Sequence, residues 1–228
     1  MRTLGLIGGM SWYSTEVYYR AINEGVQQRA PGRSARILLH SIDIHDYKPL
    51  QERNDMPGIT ALLGDVAERL ERGGAEVIAL CSNTPHAAAE GIAGRVTVPF
   101  LHIADATADA IAAQGLSTVC LLGTRVTMDA DFFPGRLAER GIRMMLPDAA
   151  ERAFVHASIV DELTQGRFTE ATRQCYLEII DRSRKHGAQG VILGCTEIGL
   201  LLPEDACPVP AFDTALVHAN ALVRFALG

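Results

Sequence analysis

Gly74-Ala75-Glu76-Val77-Ile78-Ala79-Leu80-Cys81-Ser82-Asn83-Thr84 aligns without a gap on Gly187-Ala188-Gln189-Gly190-Val191-Ile192-Leu193-Gly194-Cys195-Thr196-Glu197. Each stretch leaves a glycine, runs through a short apolar core and ends in small polar residues. A short continuous apolar run bounded in this way reads as a strand buried on both faces, as in parallel sheets. Two aligned copies in one chain imply an internal duplication. Further upstream, Gly8-Gly9 follows the apolar run 4–7 as Gly123-Thr124 follows the run 119–122, at nearly the same distance ahead of its partner motif.

Working outward, residues 37–40 read as another strand and 144–146 as a weaker one. Segments of helical period fill the gaps. In 59–72, Ile59, Leu62, Leu63, Val66 and Leu70 form one stripe, and Gly73-Gly74 follows as a stop. A second helix runs from about 170 to 186, closed by Gly187. Alternation of strands and crossover helices predicts an α/β fold with mostly parallel sheets flanked by helices. The duplication divides the chain into two similar halves: residues 1–100 with 212–228 returning to them, and residues 101–211.

The 228 residues carry a formal charge of −6 without any run of Lys or Arg. Nothing is therefore placed to neutralise a row of phosphates, and neither nucleic acid nor a membrane surface is an expected partner. No apolar run approaches bilayer length, and the first residues are too short an apolar stretch for a signal peptide, so a cytoplasmic location is expected. Cys81, Cys120, Cys175, Cys195 and Cys207 are odd in number and form no CxxC pair; they read as free thiols. The histidines lack metal-ligand spacing, so no metal site is expected.

In open α/β sheets, ligands bind beyond the C-terminal strand ends. Cys195 sits at such an end, where a helix N-terminus is expected to lower its pKa and favour a thiolate base. A free cysteine is more often a packed core thiol; the repeat is what singles out Cys195. The alignment sets Ser82 opposite Cys195, and because adjacent strand residues alternate in direction, Cys81 is expected to face the core. Asn83 and Thr84 offer donors for a carboxylate, as do Thr124, Thr127 and Thr196. Gly9, Met10 and Ser11 read as a small anion nest opening a helix capped by Ser14 or Thr15. No GxGxxG or GxxxxGK[ST] pattern is present, so nucleotide binding is not indicated. Asp213 stands out from the other acids because it lies in an apolar run.

Together, Gly8-Gly9-Met10-Ser11-Trp12, Tyr18-Tyr19-Arg20-Ala21-Ile22-Asn23, Asn83-Thr84-Pro85-His86, Leu122-Gly123-Thr124, Gly194-Cys195-Thr196-Glu197 and Phe212-Asp213-Thr214 resemble the aspartate/glutamate racemase family. The resemblance implies two pseudo-symmetric α/β domains with the active site in the cleft between them, a homodimer, and cofactor-independent racemisation at Cα of an acidic amino acid. It implies Cys195 as the thiol acid/base and Glu197 among the substrate-binding residues. The family pattern has a second cysteine where Ser82 stands, and a hydroxyl is the poorer base, so the two directions of reaction are expected to be unequal. The carboxylate-binding arginine of the family is replaced by Pro49, with Lys48 or Arg53 as the available substitutes. Maleate isomerases and arylmalonate decarboxylases share the wider superfamily. A maleate isomerase-like or arylmalonate decarboxylase-like enzyme using the single cysteine Cys195, or a non-catalytic acidic amino-acid binder, is therefore the competing expectation. Whether His86 or Cys81 assists Ser82 is left open by the residues themselves.

Overall fold

The computed structural model describes residues 1–228, leaving aside the side chain of Glu204. Contacts divide them into two compact units, residues 1–103 with 218–228, and residues 104–217.

The first unit is built on β1 (Thr3–Gly8), β2 (Arg36–Ser41) and β3 (Val77–Leu80). These form a parallel sheet in the order β2-β1-β3. Its helices are α1 (Trp12–Arg29), α2 (Ile44–Glu52), α3 (Met56–Arg72) and α4 (Ala89–Ala93). The stripe read from the sequence is the buried face of α3: Ile59, Leu63, Val66 and Leu70 pack with Ile7, Ile78 and Leu80 of the sheet, and Leu62 is partly buried against them. Leu63 is fully buried, a position where truncation to alanine costs about 2–5 kcal/mol. Central β1 and the edge strand β3 are buried, whereas the other edge strand, β2, is half-exposed.

The second unit repeats the plan. It contains α5 (Ile103–Ala113), β4 (Thr118–Leu122), α6 (Arg125–Asp129), α7 (Phe132–Ala138), β5 (Arg143–Met145) and α8 (Ala149–Asp161). They are followed by α9 (Glu170–Lys185), β6 (Gly190–Leu193), α10 (Thr196–Leu201), β7 (Ala211–Asp213) and α11 (Thr214–Leu227), whose last residues belong to the first unit. The sheet is parallel throughout, in the order β5-β4-β6-β7. Substituting β1, β2, β3 for β4, β5, β6 reproduces the first sheet. Even the fourth position has a trace in the first unit, since Ile78, which aligns with Val191, pairs with Phe100 as Val191 pairs with Ala211. The segment from Phe212 thus first adds a strand to the second sheet, and the return to the first unit begins at His218.

The duplication extends to backbone conformation. Gly74 and Gly187, which align, both adopt positive φ, at 94° and 102°. Each ends the turn that follows a long helix and leads into a buried strand, a left-handed position that glycine fills at little cost. The turns after the first strand of each half differ, however. Gly9 has φ 90°, whereas its counterpart Thr124 has φ −63° and caps α6. Gly9 is also in close approach to β2's exit, where a Cβ would overlap the Ile42 carbonyl oxygen.

Gly9→Ala is therefore expected to cost at least about 3 kcal/mol, combining backbone strain with overlap. Gly187→Ala, whose Cβ would meet nothing within 4 Å, should cost about 1–2 kcal/mol from strain alone. Urea denaturation of both variants measures the difference, and equal losses would contradict the overlap at Ile42.

Candidate active site

Cys195 leaves β6 in extended conformation, with φ −147° and ψ 134°, and is the N-cap residue of α10. Its thiol donates to Glu197 Oε2 at 2.9 Å. Glu197 is buried, at 7 % exposure. Burial, then the Glu197 carboxylate, raise the thiol's pKa well above its ordinary value, and Asp213 adds to the rise. This corrects the expectation of a thiol activated by its helix. Burial is the larger reason, and electrostatics adds to it: α10 has 6 residues, and a helix end amounts to about half a unit charge. A whole carboxylate within hydrogen-bond reach outweighs it. The resting group is a protonated thiol.

Around it, Thr196 is buried, and Thr214 Oγ1 donates to the Leu193 carbonyl at 3.0 Å, tying α11 to the end of β6. Asp213 Oδ1 accepts from the amides of Ala215 and Leu216 at 2.9 and 3.2 Å, starting α11. Tyr176, which no motif singled out, is fully buried, with its hydroxyl 2.9 Å from Ser158 Oγ. Burial chiefly raises its pKa, and the negative charges that Cys195 and Glu162 carry when ionised add to the rise. Its membership of this environment had no sequence signal, since a tyrosine on an amphipathic helix reads as core. Thr124 accepts from the Thr127 amide at 3.3 Å, and the two hydroxyls lie 3.1 Å apart. Thr127 is fully buried; it supports Thr124 from beneath.

In the first unit, Cys81 lies behind the end of β3, its amide donating to the Ile7 carbonyl at 2.9 Å. At 1 % exposure, its thiol is pushed far up by burial. Ser82 is half-buried, Asn83 buried, and half-buried Thr84 opens the short 3-10 turn Thr84–Ala88. His86 closes on this turn. Its Nδ1–H donates to the Ser82 carbonyl at 2.8 Å, and its Nε2 accepts from the Ile103 amide at 3.3 Å. A carbonyl only accepts and an amide N–H only donates, which sets the tautomer. With both ring nitrogens on backbone atoms, His86 braces the turn that carries Ser82.

His86 is packed among other rings: His102 at 4.6 Å and His218 at 5.8 Å between centroids. His218 Nδ1 accepts from Tyr18 Oη at 2.8 Å, and its Nε2–H donates to the Leu101 carbonyl at 2.9 Å. Burial holds His218 at about 4, and holds His86 well below the ordinary imidazole value, with His102 and His218 adding to the effect.

At the first turn, Ser11 is the N-cap of α1, accepting from the Ser14 amide at 3.4 Å. Neither Ser14 nor Thr15 plays that part. Thr15 Oγ1 instead accepts from the Gly9 amide and donates to the Ser11 carbonyl, each at 3.0 Å. The Gly9 N–H is thus engaged within the turn rather than turned to a ligand. Met10 is half-buried against the core of the first unit. Lys48 and Arg53 are exposed on α2. Lys48 lies 3.9 Å from Glu52, and Arg53 ends the helix, into which Pro49 is built. Among the described residues, no group of three or more His, Cys, Asp or Glu side chains is placed to hold a metal ion. No helix among them is long and apolar enough to cross a membrane.

Comparison with known proteins gives this geometry a context. Residues 7–222 match the model of the Asp/Glu/hydantoin racemase family. A solved structure of a candidate Asp/Glu racemase from Yersinia pestis is 44 % identical, covers 100 % of both chains and superposes with a TM-score of 0.96. An aspartate racemase homologue from Pyrococcus horikoshii is 33 % identical over 100 % of both chains, with a TM-score of 0.90. The broad-specificity amino-acid racemase RacX of Bacillus subtilis is 26 % identical over 70 % of this chain and 68 % of its own.

The buried imidazoles generate a pH dependence. The folded pKa of His218, about 4, lies below the ordinary value of 6.5. The unfolded chain therefore takes up a proton first as pH falls. The stabilisation is complete above about pH 6.5 and is lost progressively down to about pH 4, reaching about 3 kcal/mol for this group alone. His86 acts in the same direction. Urea unfolding between pH 7 and 4.5 should show the fall, and His218→Gln should shallow the slope; an unchanged slope would remove His218 from the account.

Proposed function

Because the chain belongs to the Asp/Glu/hydantoin racemase family, we propose that it is an amino-acid racemase that works at Cα of an acidic amino acid without a cofactor. The observation that carries the reading is the Cys195 thiol hydrogen-bonded to a buried carboxylate at a strand end. Racemisation requires a proton to leave Cα on one face and another to arrive on the opposite face. Cys195 serves as acid or base, and Ser82 is the second group.

Glu197, first expected to bind substrate, takes a different role in this reading. For Cys195 to act as a base, its thiol proton passes from Sγ to Glu197 Oε2, leaving a thiolate and a neutral carboxylic acid. The thiolate then takes the α-proton, becoming a thiol again, and the substrate is left as a carbanion. That carbanion is stabilised by donors to its carboxylate, for which Asn83, Thr84 and Thr124 are proposed, before it is reprotonated from the other side. In the reverse direction Cys195 begins as the proton donor, the state in which the raised pKa already holds it. A serine hydroxyl removes a proton far less readily than a thiolate, so the enantiomer whose α-proton faces Cys195 is the preferred substrate. His86 acts by holding the Ser82 turn. The homodimer implied by the resemblance and the cytoplasmic location expected from the sequence belong to the same reading.

The side-chain preference has a second reading. Pro49 stands where the family has an arginine, and both Lys48 and Arg53 are exposed on α2. These positions favour a site less committed to a second carboxylate. The name of the Bacillus subtilis relative points the same way, so neutral amino acids belong among the substrates tried.

The test is α-proton exchange in D₂O, followed by NMR with each enantiomer of aspartate, glutamate and alanine. Exchange of the acidic amino acids should vanish in Cys195→Ala and fall about 100-fold in Glu197→Gln, the scale of a lost acid/base partner. Cys81→Ala should stay within about a few-fold of wild type, because that thiol is buried and unused. Exchange that survives Cys195→Ala would overturn the assignment, and exchange of alanine alone would replace the acidic substrate.

A further inference from the structure

The second unit contains a cavity of about 210 Å³ lined by Arg125, Met128 and Asp129 of α6 and by Ala149, Arg152 and Ala153 of α8. Its charged groups are two guanidiniums and one carboxylate, a surplus of positive charge. Arg152 Nη1 donates to Asp129 Oδ1 at 3.0 Å. Arg152 Nε is shielded from solvent and, among the described residues, donates to no acceptor. Shielded donors are nearly always bonded, and one that is not points to a missing acceptor. Arg125 is exposed and, among the described residues, has no carboxylate within ion-pair distance. Other arginines of this unit do: Arg136 and Arg140 reach Asp105, and Arg182 reaches Glu151.

The frame around the cavity is fixed. The Arg125 amide donates to His156 Nδ1 at 3.2 Å, joining the start of α6 to α8. The Asp148–Glu151 capping box fixes the start of α8. Asp129 engages Arg152 through one nitrogen only, which leaves most of the guanidinium fork for a second acceptor. A guanidinium fork matches carboxylate and phosphate oxygens, and the three terminal oxygens of a phosphate suffice for two forks at once. The volume corresponds to about seven waters at about 30 Å³ each, which leaves room for an organic group beside a phosphate.

We propose that this cavity binds the phosphate group of a small phosphomonoester, held between Arg125 and Arg152 with Asp129 orienting the latter. The site lies within the second unit and requires neither Cys195 nor Ser82. Its occupant would brace α6 against α8, and Thr124 caps α6.

Phosphorus-31 NMR titration of the full-length protein with inorganic phosphate, against chloride at matched ionic strength, is the test. Saturable binding in the millimolar range or tighter is expected, weakened at least 10-fold in both Arg125→Gln and Arg152→Gln and unchanged in Arg69→Gln, an exposed arginine of the first unit. Arg125 is exposed, so its variant keeps the test valid should Arg152→Gln fail to fold. Three results would overturn the proposal: no saturable binding, equal affinity in Arg125→Gln, or displacement of phosphate by aspartate, which would put the ion in the reaction centre. Acetate competing with equal affinity would overturn the choice of phosphate.

Discussion

Parallel pairing is the constraint on which the molecule depends. When every strand of a sheet runs the same way, all strands end on one edge, and every connection must cross back through a helix before the next begins. The residues just past the strand ends are the first released from the ladder. In the first unit those are Gly9, Ser82 and Asn83; in the second they are Thr124, Cys195 and Thr196. The strands themselves are too deeply buried to carry chemistry, which leaves it to these turns.

What burial gives the strand ends, it also imposes on their ionisable groups. In the second unit the Cys195 thiol is held protonated by its surroundings and by Glu197, and in the first unit the imidazoles of His86 and His218 are held neutral. Both effects follow from placing titratable groups where water is scarce, and each favours the uncharged form.

Much of this was legible in the residues. β1, β3, β4 and β6 announce themselves because strands covered on both faces read as unbroken apolar runs, and the gap-free repeat put Ser82 opposite Cys195. Ala211–Asp213 did not announce itself as a strand, since three residues beside Pro208 and Pro210 are too few to show a period. The state of Cys195 was also hidden. Helix position argued for a lowered pKa, whereas burial of the thiol, and then the Glu197 carboxylate turned back onto it, reverse the sign. The brace made by His86 was equally invisible, because its Nε2 partner at Ile103 lies 17 residues away, and long-range pairing leaves no mark in local spacing.

The first unit is closed by residues 218–228: the Arg2 amide donates to the Ala226 carbonyl at 2.9 Å, and His218 is buried beside Tyr18 and His86. The second unit is one continuous segment, 104–217. On the ribosome, the half that is synthesised earlier is therefore the half that must wait. Its sheet emerges first, but its last helical residues are still in the exit tunnel when the second unit has emerged in full. Order of synthesis and order of completion run in opposite directions, and for that interval the imidazole of His86 lacks the neighbouring ring of His218.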